Sequence, residues 1–166
     1  MLSLAEAGLF RPRWSAQILN EFEAYFTRQF NDQPAAARQR QRIEEAFPEA
    51  EVANYEVLTE AIDLPDKDDC HVVAAAIHTK ASLIVTDNLK DFPPEVLAQY
   101  DLEAVSLDNF LADLLDLAGA EAIAAIRIMR QRFQNPELDA EALIAKVEKC
   151  GLQETAKILY EYHALL

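Results

Sequence analysis

The sequence predicts a layered α/β domain followed by an all-helical C-terminal segment. Three observations predict it. Ser82-Leu83-Ile84-Val85-Thr86 is a short, β-branched apolar run, the pattern of a parallel strand covered on both faces. Before it, Cys70 to Lys80 is almost wholly small or apolar (Val72, Val73, Ala74, Ala75, Ala76, Ile77), as a helix buried against a sheet requires. After it, Leu102 to Leu107 is a second strand candidate, with helices between and behind. The resulting α-β-α-β-α order belongs to a layered α/β architecture.

Each element has a local reason. Leu2 to Ala7 reads as the end of a helix with Gly8 as its C-terminal cap, and Leu9 to Trp14, interrupted by Pro12, reads as a loop or short extended crossing. Ser15 is placed to cap a helix whose Ile18, Leu19, Phe22, Tyr25 and Phe26 recur at helical spacing and which ends near Asn31 to Pro34. Ala35 to Phe47 forms the next helix, stopped by Pro48, and Glu51 to Ile62 is expected to form another short one. Leu64 to Asp69 is an acid-rich loop in which Asp66 or Asp68 can cap the buried helix. Pro93-Pro94 opens a short helix through Tyr100, and a further helix runs from Asp108 to Leu117. Beyond Gly119 strand patterns disappear: Asn135-Pro136 ends one helix, Asp139 caps a second up to Cys150, and Gly151 separates that from a third.

Composition narrows the function. The chain has 166 residues, 51% of them hydrophobic, and carries 15 Lys+Arg against 29 Asp+Glu, a formal charge of −14. That charge argues against a protein whose whole surface tracks nucleic acid. It is unevenly spread, however. Residues 11 to 42 hold six arginines against Glu21, Glu23 and Asp32, whereas from Glu44 to Asp113 the numerous acids face only Lys67, Lys80 and Lys90. Acids in such a run can simply cover solvated helix faces, or some can converge on a divalent cation, which relieves their mutual repulsion. Cys70 and Cys150 are too far apart to suggest a disulfide framework, and His71, His78 and His163 lack zinc-site spacing, so all five are read as structural. No basic-then-apolar leader or membrane span is apparent, and the cytoplasm is the expected location.

In open α/β sheets, ligands gather at the carboxyl ends of the strands. The turn leaving Thr86 offers Asp87, Asn88 and Asp91 there. A helix of about 11 residues spans roughly 16 Å, comparable to a strand of about five residues, so the helix from Asp69, antiparallel to the strand, starts where the strand finishes. Asp69 is thereby expected close to Asp91.

Two further stretches complete a resemblance. Asp66-Lys67-Asp68-Asp69-Cys70-His71-Val72-Val73-Ala74-Ala75-Ala76, followed by Ile84-Val85-Thr86-Asp87-Asn88-Leu89-Lys90-Asp91-Phe92-Pro93, resembles the second half of a PIN domain, the nuclease fold of VapC-type toxins. Trp14-Ser15-Ala16-Gln17-Ile18-Leu19-Asn20-Glu21 resembles the helix bearing that family's glutamate, and the helical tail resembles the extension of one PIN subgroup. The resemblance implies a three-layer PIN-like domain with a short, mostly parallel sheet over residues 1–117 and a helical extension over 118–166. It further implies an Mg²⁺- or Mn²⁺-dependent endoribonuclease, with Glu21, Asp69 and Asp91 as catalytic metal ligands and Thr86, Asp87, Asn88 and Asp66 in support. RNA is the implied substrate, a cognate antitoxin the implied protein partner and a homodimer a further candidate. PIN domains begin with a strand ending in an aspartate, and Met1 to Gly8 instead resembles the helix after it, so the sheet is expected to be incomplete at its N-terminal side. That leaves a competing expectation: an inactive or truncated homologue serving as a protein-binding module.

Each candidate also has a plainer role. Glu21 can be a solvated helix residue, Asp69 a helix cap, Asp91 a loop acid in competition with Asp87, and Asp66 and Asp68 caps or loop acids rather than ligands. Trp14 reads as a packing residue, and Arg38, Arg40 and Arg42 as a solvated face.

Overall fold

The computed structural model describes residues 1–166. In chain order the regular elements are α1 (Leu2–Glu6), β1 (Trp14–Ser15), α2 (Ala16–Phe30), α3 (Gln33–Ala46), β2 (Glu51–Val52), α4 (Glu56–Thr59), α5 (Cys70–Thr79), β3 (Leu83–Val85), α6 (Pro94–Leu97), β4 (Glu103–Val105), α7 (Leu107–Leu117), α8 (Gly119–Gln131), α9 (Ala140–Lys149) and α10 (Gln153–Glu161). The fold is α/β with two two-stranded sheets, β1-β2 and β3-β4. The chain divides into two compact units: Pro12–Ile84 with Asn88–Ala104, and Met1–Arg11 with Val85–Asp87 and Val105–Leu166.

In the first unit, β1 and β2 pair in parallel, with Trp14 opposite Glu51 and Ser15 opposite Val52. Ser15 is fully buried and serves two elements: it ends β1, and its hydroxyl accepts the Ile18 N–H at 3.2 Å to cap α2. Asn31, in the left-handed region at φ 51°, turns the chain out of α2, and Asp32 caps α3 through the Ala35 N–H at 2.9 Å. Trp14 packs edge-on against Phe47 with ring centroids 5.8 Å apart, a core role as expected. The centre of this unit is α5. Its Val73 and Ala74 have no exposed surface, and it packs among Val52, Tyr55, Ile62, Leu64, Ile84, Phe92, Leu97 and Leu102. Lys80, at φ 53°, ends α5 in a left-handed cap and reverses the chain toward β3. Within this unit the Glu103 N–H donates to the Ser82 carbonyl at 3.1 Å.

One expected helix is largely absent. Glu51 to Ile62 contains β2, then Asn54 at φ 64°, and only the single turn Glu56–Thr59 is helical. The left-handed Asn54 interrupts any continuous helix, and Val52 spends its backbone on β1.

The second unit is mainly helical. Leu4, Leu111, Leu115, Ala122, Ile123, Leu143, Ile144, Ala156 and Leu159 form its buried core, drawing on α1 and α7 to α10. Phe10 stacks edge-on against Phe110 at 5.1 Å. The Thr86 N–H donates to the Val105 carbonyl at 2.9 Å. Ser106 caps α7 by accepting the Asn109 N–H at 3.2 Å. No helix is long and apolar enough to cross a membrane.

Candidate metal centre

Three carboxylates converge in the first unit: one oxygen each from Asp66, Asp69 and Asp91 lie within 4.8 Å of one another. Asp66 opens the 3₁₀ turn Lys67–Asp69 and accepts the Asp68 N–H at 2.9 Å. That turn runs directly into α5. Asp69 therefore already has helical backbone angles (φ −85°, ψ −9°), and its side chain makes no capping hydrogen bond. Its carboxylate is turned to other partners: the Asn88 Nδ2 donates to Oδ2 at 3.4 Å. Asp91 ends the 3₁₀ turn Leu89–Asp91 that follows β3, and the next residue, Phe92, is buried in the core of the unit and fixes that turn. The Asp91 side chain is only 16% exposed, and the Lys90 ammonium stands 3.6 Å from its Oδ2.

The electrostatics follow from this crowding. Burial holds the Asp69 carboxyl above its ordinary value, and the negative charges of Asp66, Asp91 and Glu21 push it further in the same direction, against an opposing effect of His71. A cluster of this kind is repulsive by itself. Three hard oxygen donors with no thiolate or imidazole among them match the donor set of Mg²⁺, Mn²⁺ or Ca²⁺ rather than that of zinc.

Of the expected ligands, Asp69 and Asp91 lie together as the helix and strand lengths require. Glu21 is outside the group of three but acts on it through its charge. Its side chain is 56% exposed on α2, and its Oε1 accepts the Gln17 Nε2 at 3.2 Å, one helical turn away. Asn88 stands beside Asp69. Thr86 and Asp87 belong to the other unit, where Asp87 Oδ1 accepts the Leu107 N–H at 3.2 Å at the start of α7. Asp66 caps the 3₁₀ turn that leads into α5 rather than α5 itself, and it is a member of the cluster. The 3₁₀ turn explains its place: side chains three apart eclipse there, so Asp66 and Asp69 can share one side.

The sequence profile of the PIN domain matches residues 1–90, more than half of the chain. The chain belongs to the PIN-domain family. Within this PIN domain the matched region contains Glu21, Asp66 and Asp69, and Asp91 follows it directly. Residues 107–161 match the VapC50 C-terminal domain, so the helical part of the chain is similar to the extension of a VapC-type protein. Among curated proteins, "Putative ribonuclease VapC50" of Mycobacterium tuberculosis is 40% identical over 76 residues. That stretch is 46% of this chain and 45% of the relative, so less than half of the relative's length is matched. No solved structure matches the chain significantly.

Proposed function

We propose that this PIN-domain protein is a metal-dependent endoribonuclease of the toxin-antitoxin type. The convergence of Asp66, Asp69 and Asp91 carries the proposal, together with the family match and the likeness to a VapC-named ribonuclease. Glu21, Asp69 and Asp91 would hold Mg²⁺ or Mn²⁺, with Asp66 and Asn88 beside them. Such a cation, when bound, makes water a nucleophile near neutral pH and stabilises charge on a phosphate. The chain's own part is to hold the acids ionised against their mutual repulsion. Asn88 serves this by donating to Asp69 Oδ2. No side chain has to act as a covalent nucleophile.

RNA is the proposed substrate, approached through the arginine-bearing region of α2 and α3 rather than through the acidic remainder. The proposed protein partner is a cognate antitoxin, a second copy of the chain is a further candidate, and the cytoplasm is the proposed location. The test is cleavage of an end-labelled RNA by the full chain in Mn²⁺ or Mg²⁺. Wild type should cut, chelation should stop it, and Asp69→Asn and Asp91→Asn should each lose at least about 100-fold in rate, because removing one ligand disturbs both the charge and the geometry of a metal site. Full activity in both variants, or cleavage that survives chelation, would sink the assignment. A wild-type chain that binds Mn²⁺ yet cuts no RNA would favour the protein-binding homologue instead.

A further inference from the structure

His71 is the second residue of α5, and only 5% of it is exposed. Its two ring nitrogens are buried, and neither makes an aligned hydrogen bond. A buried imidazole N–H left without a partner costs free energy, so such an atom requires an explanation. One oxygen is close enough to supply it. Glu21 Oε1 lies 3.1 Å from His71 Nε2, off the line of the ring N–H. Glu21 is more than half exposed, on a long side chain, and a small rotation of that carboxylate brings the pair into line, whereas the enclosed imidazole has little freedom to move.

We propose that His71 is a positioning residue: its Nε2–H donates to Glu21 Oε1 and holds that carboxylate beside the Asp66, Asp69 and Asp91 cluster. The role rests on the metal-site reading above. Gln17 Nε2 approaches the same oxygen from α2 itself, so the two donors address Oε1 together and leave Oε2 to serve as ligand. The arrangement solves a specific problem. Glu21 comes from a different helix than the aspartates, is exposed, and is repelled by them, so without a donor fixed in the core its carboxylate would swing into water. His71 is anchored two residues from Asp69, on the helix whose Val73, Ala74 and Ala75 are buried in the core of the unit, so the ring sets the distance between the α2 acid and the α5 acid. Outer-shell partners of metal ligands act in this way, and their loss typically costs about 10- to 100-fold in metal affinity.

Two measurements on the full chain test this. The first is Mn²⁺ affinity, by calorimetry or electron paramagnetic resonance, for wild type, His71→Leu, His71→Gln, Glu21→Gln and the double variant Glu21→Gln/His71→Leu, with thermal melts to establish folding. His71→Leu should weaken Mn²⁺ binding about 10-fold or more. His71→Gln, which restores an N–H at a similar reach, should recover most of that loss, and the double variant should bind no worse than Glu21→Gln alone. A folded His71→Leu with wild-type affinity, or losses from the two sites that simply multiply, would overturn the proposal. The second measurement needs no metal: ¹⁵N NMR of the His71 ring should report the proton on Nε2, with a shift that changes in Glu21→Gln. A proton on Nδ1, or a ring signal indifferent to Glu21→Gln, would overturn it equally. Failure of the metal-site reading appears differently, as Mn²⁺ binding that Asp69→Asn leaves unchanged.

Discussion

Asp69 is held in a state that a lone carboxylate would avoid. Burial and the charges of Asp66, Asp91 and Glu21 raise its pKa above the ordinary 3.8. The native state therefore binds a proton more readily than the unfolded chain, and stability contributed by this group is present below 3.8 and lost as pH rises through the folded value. Without divalent cations, Asp69→Asn should accordingly stabilise the protein at pH 7, by up to about 1 kcal/mol, since the site is only partly shielded from water. The advantage should shrink as pH falls toward 3.8. Urea denaturation in a chelator at pH 7 and again near the carboxylate range measures it, and a variant less stable than wild type at pH 7 contradicts it. Adding Mn²⁺ should reverse the order, because a ligand at about 100 times its Kd adds about 2.7 kcal/mol to the form that binds it. The pairing of Asp69 with Asp91 was legible from the lengths of α5 and β3 alone. The membership of Asp66 was not, because a capping aspartate and a clustered aspartate look identical until the 3₁₀ turn beneath them is known. His71 reads as structural in the sequence because a histidine on an apolar helix gives no sign there of what stands opposite it.

At the scale of elements, one side chain joins α7 to the start of α10 within the helical unit. Asp108, in the first turn of α7, accepts the Glu154 N–H at 2.9 Å, the Thr155 N–H at 2.9 Å and the Thr155 hydroxyl at 2.7 Å, closing the open N-terminus of α10 from outside. α10 has no capping side chain of its own, so Asp108 replaces one at long range. Burial pushes the Asp108 carboxyl up, but the donors on Thr155, Glu154 and Gln153 outweigh it and hold the pKa below 3.8. For a depressed acid, the stabilisation is present above the unfolded value and disappears as pH falls through the folded one. Asp108→Ala should cost about 1–2 kcal/mol at pH 7, the upper range for a lost cap. The penalty should fade below pH 3.8, as denaturation of both proteins across that range would show. Such long-range fastening is also what sequence patterns miss. Val52 finds its strand partner at Ser15, 37 positions away, and Asn54 takes a left-handed turn that no periodicity announces, so the stretch from Glu51 reads as a helix although most of it is not. Where neighbours in sequence decide the outcome, as at the Ser15 and Asp139 caps or the apolar α5, local patterns are sufficient.

For the whole molecule, a formal charge of −14 sets how the RNA substrate proposed above would be met. Long-range attraction cannot gather RNA onto such a surface, because the summed field repels phosphate beyond a few ångströms and only the local arginines counter it. Even these are partly committed: Arg40 is paired with Glu23 at 3.2 Å and Glu44 at 2.9 Å, leaving the exposed Arg28, Arg38 and Arg42 on α2 and α3. Few phosphates can then be neutralised by the protein, so few counterions are released on binding. A protein making six to ten phosphate contacts loses about 10³- to 10⁵-fold in affinity between about 50 and 200 mM salt. Here the KM for RNA at saturating divalent cation should change by less than about 10-fold over that range, because screening weakens the general repulsion while it weakens the local attraction. Replacing Arg28, Arg38 and Arg42 together by Gln should flatten the dependence further or invert it, with kcat little altered. A steep loss of affinity with salt in wild type would mean that RNA is held by a basic surface that this charge distribution does not provide.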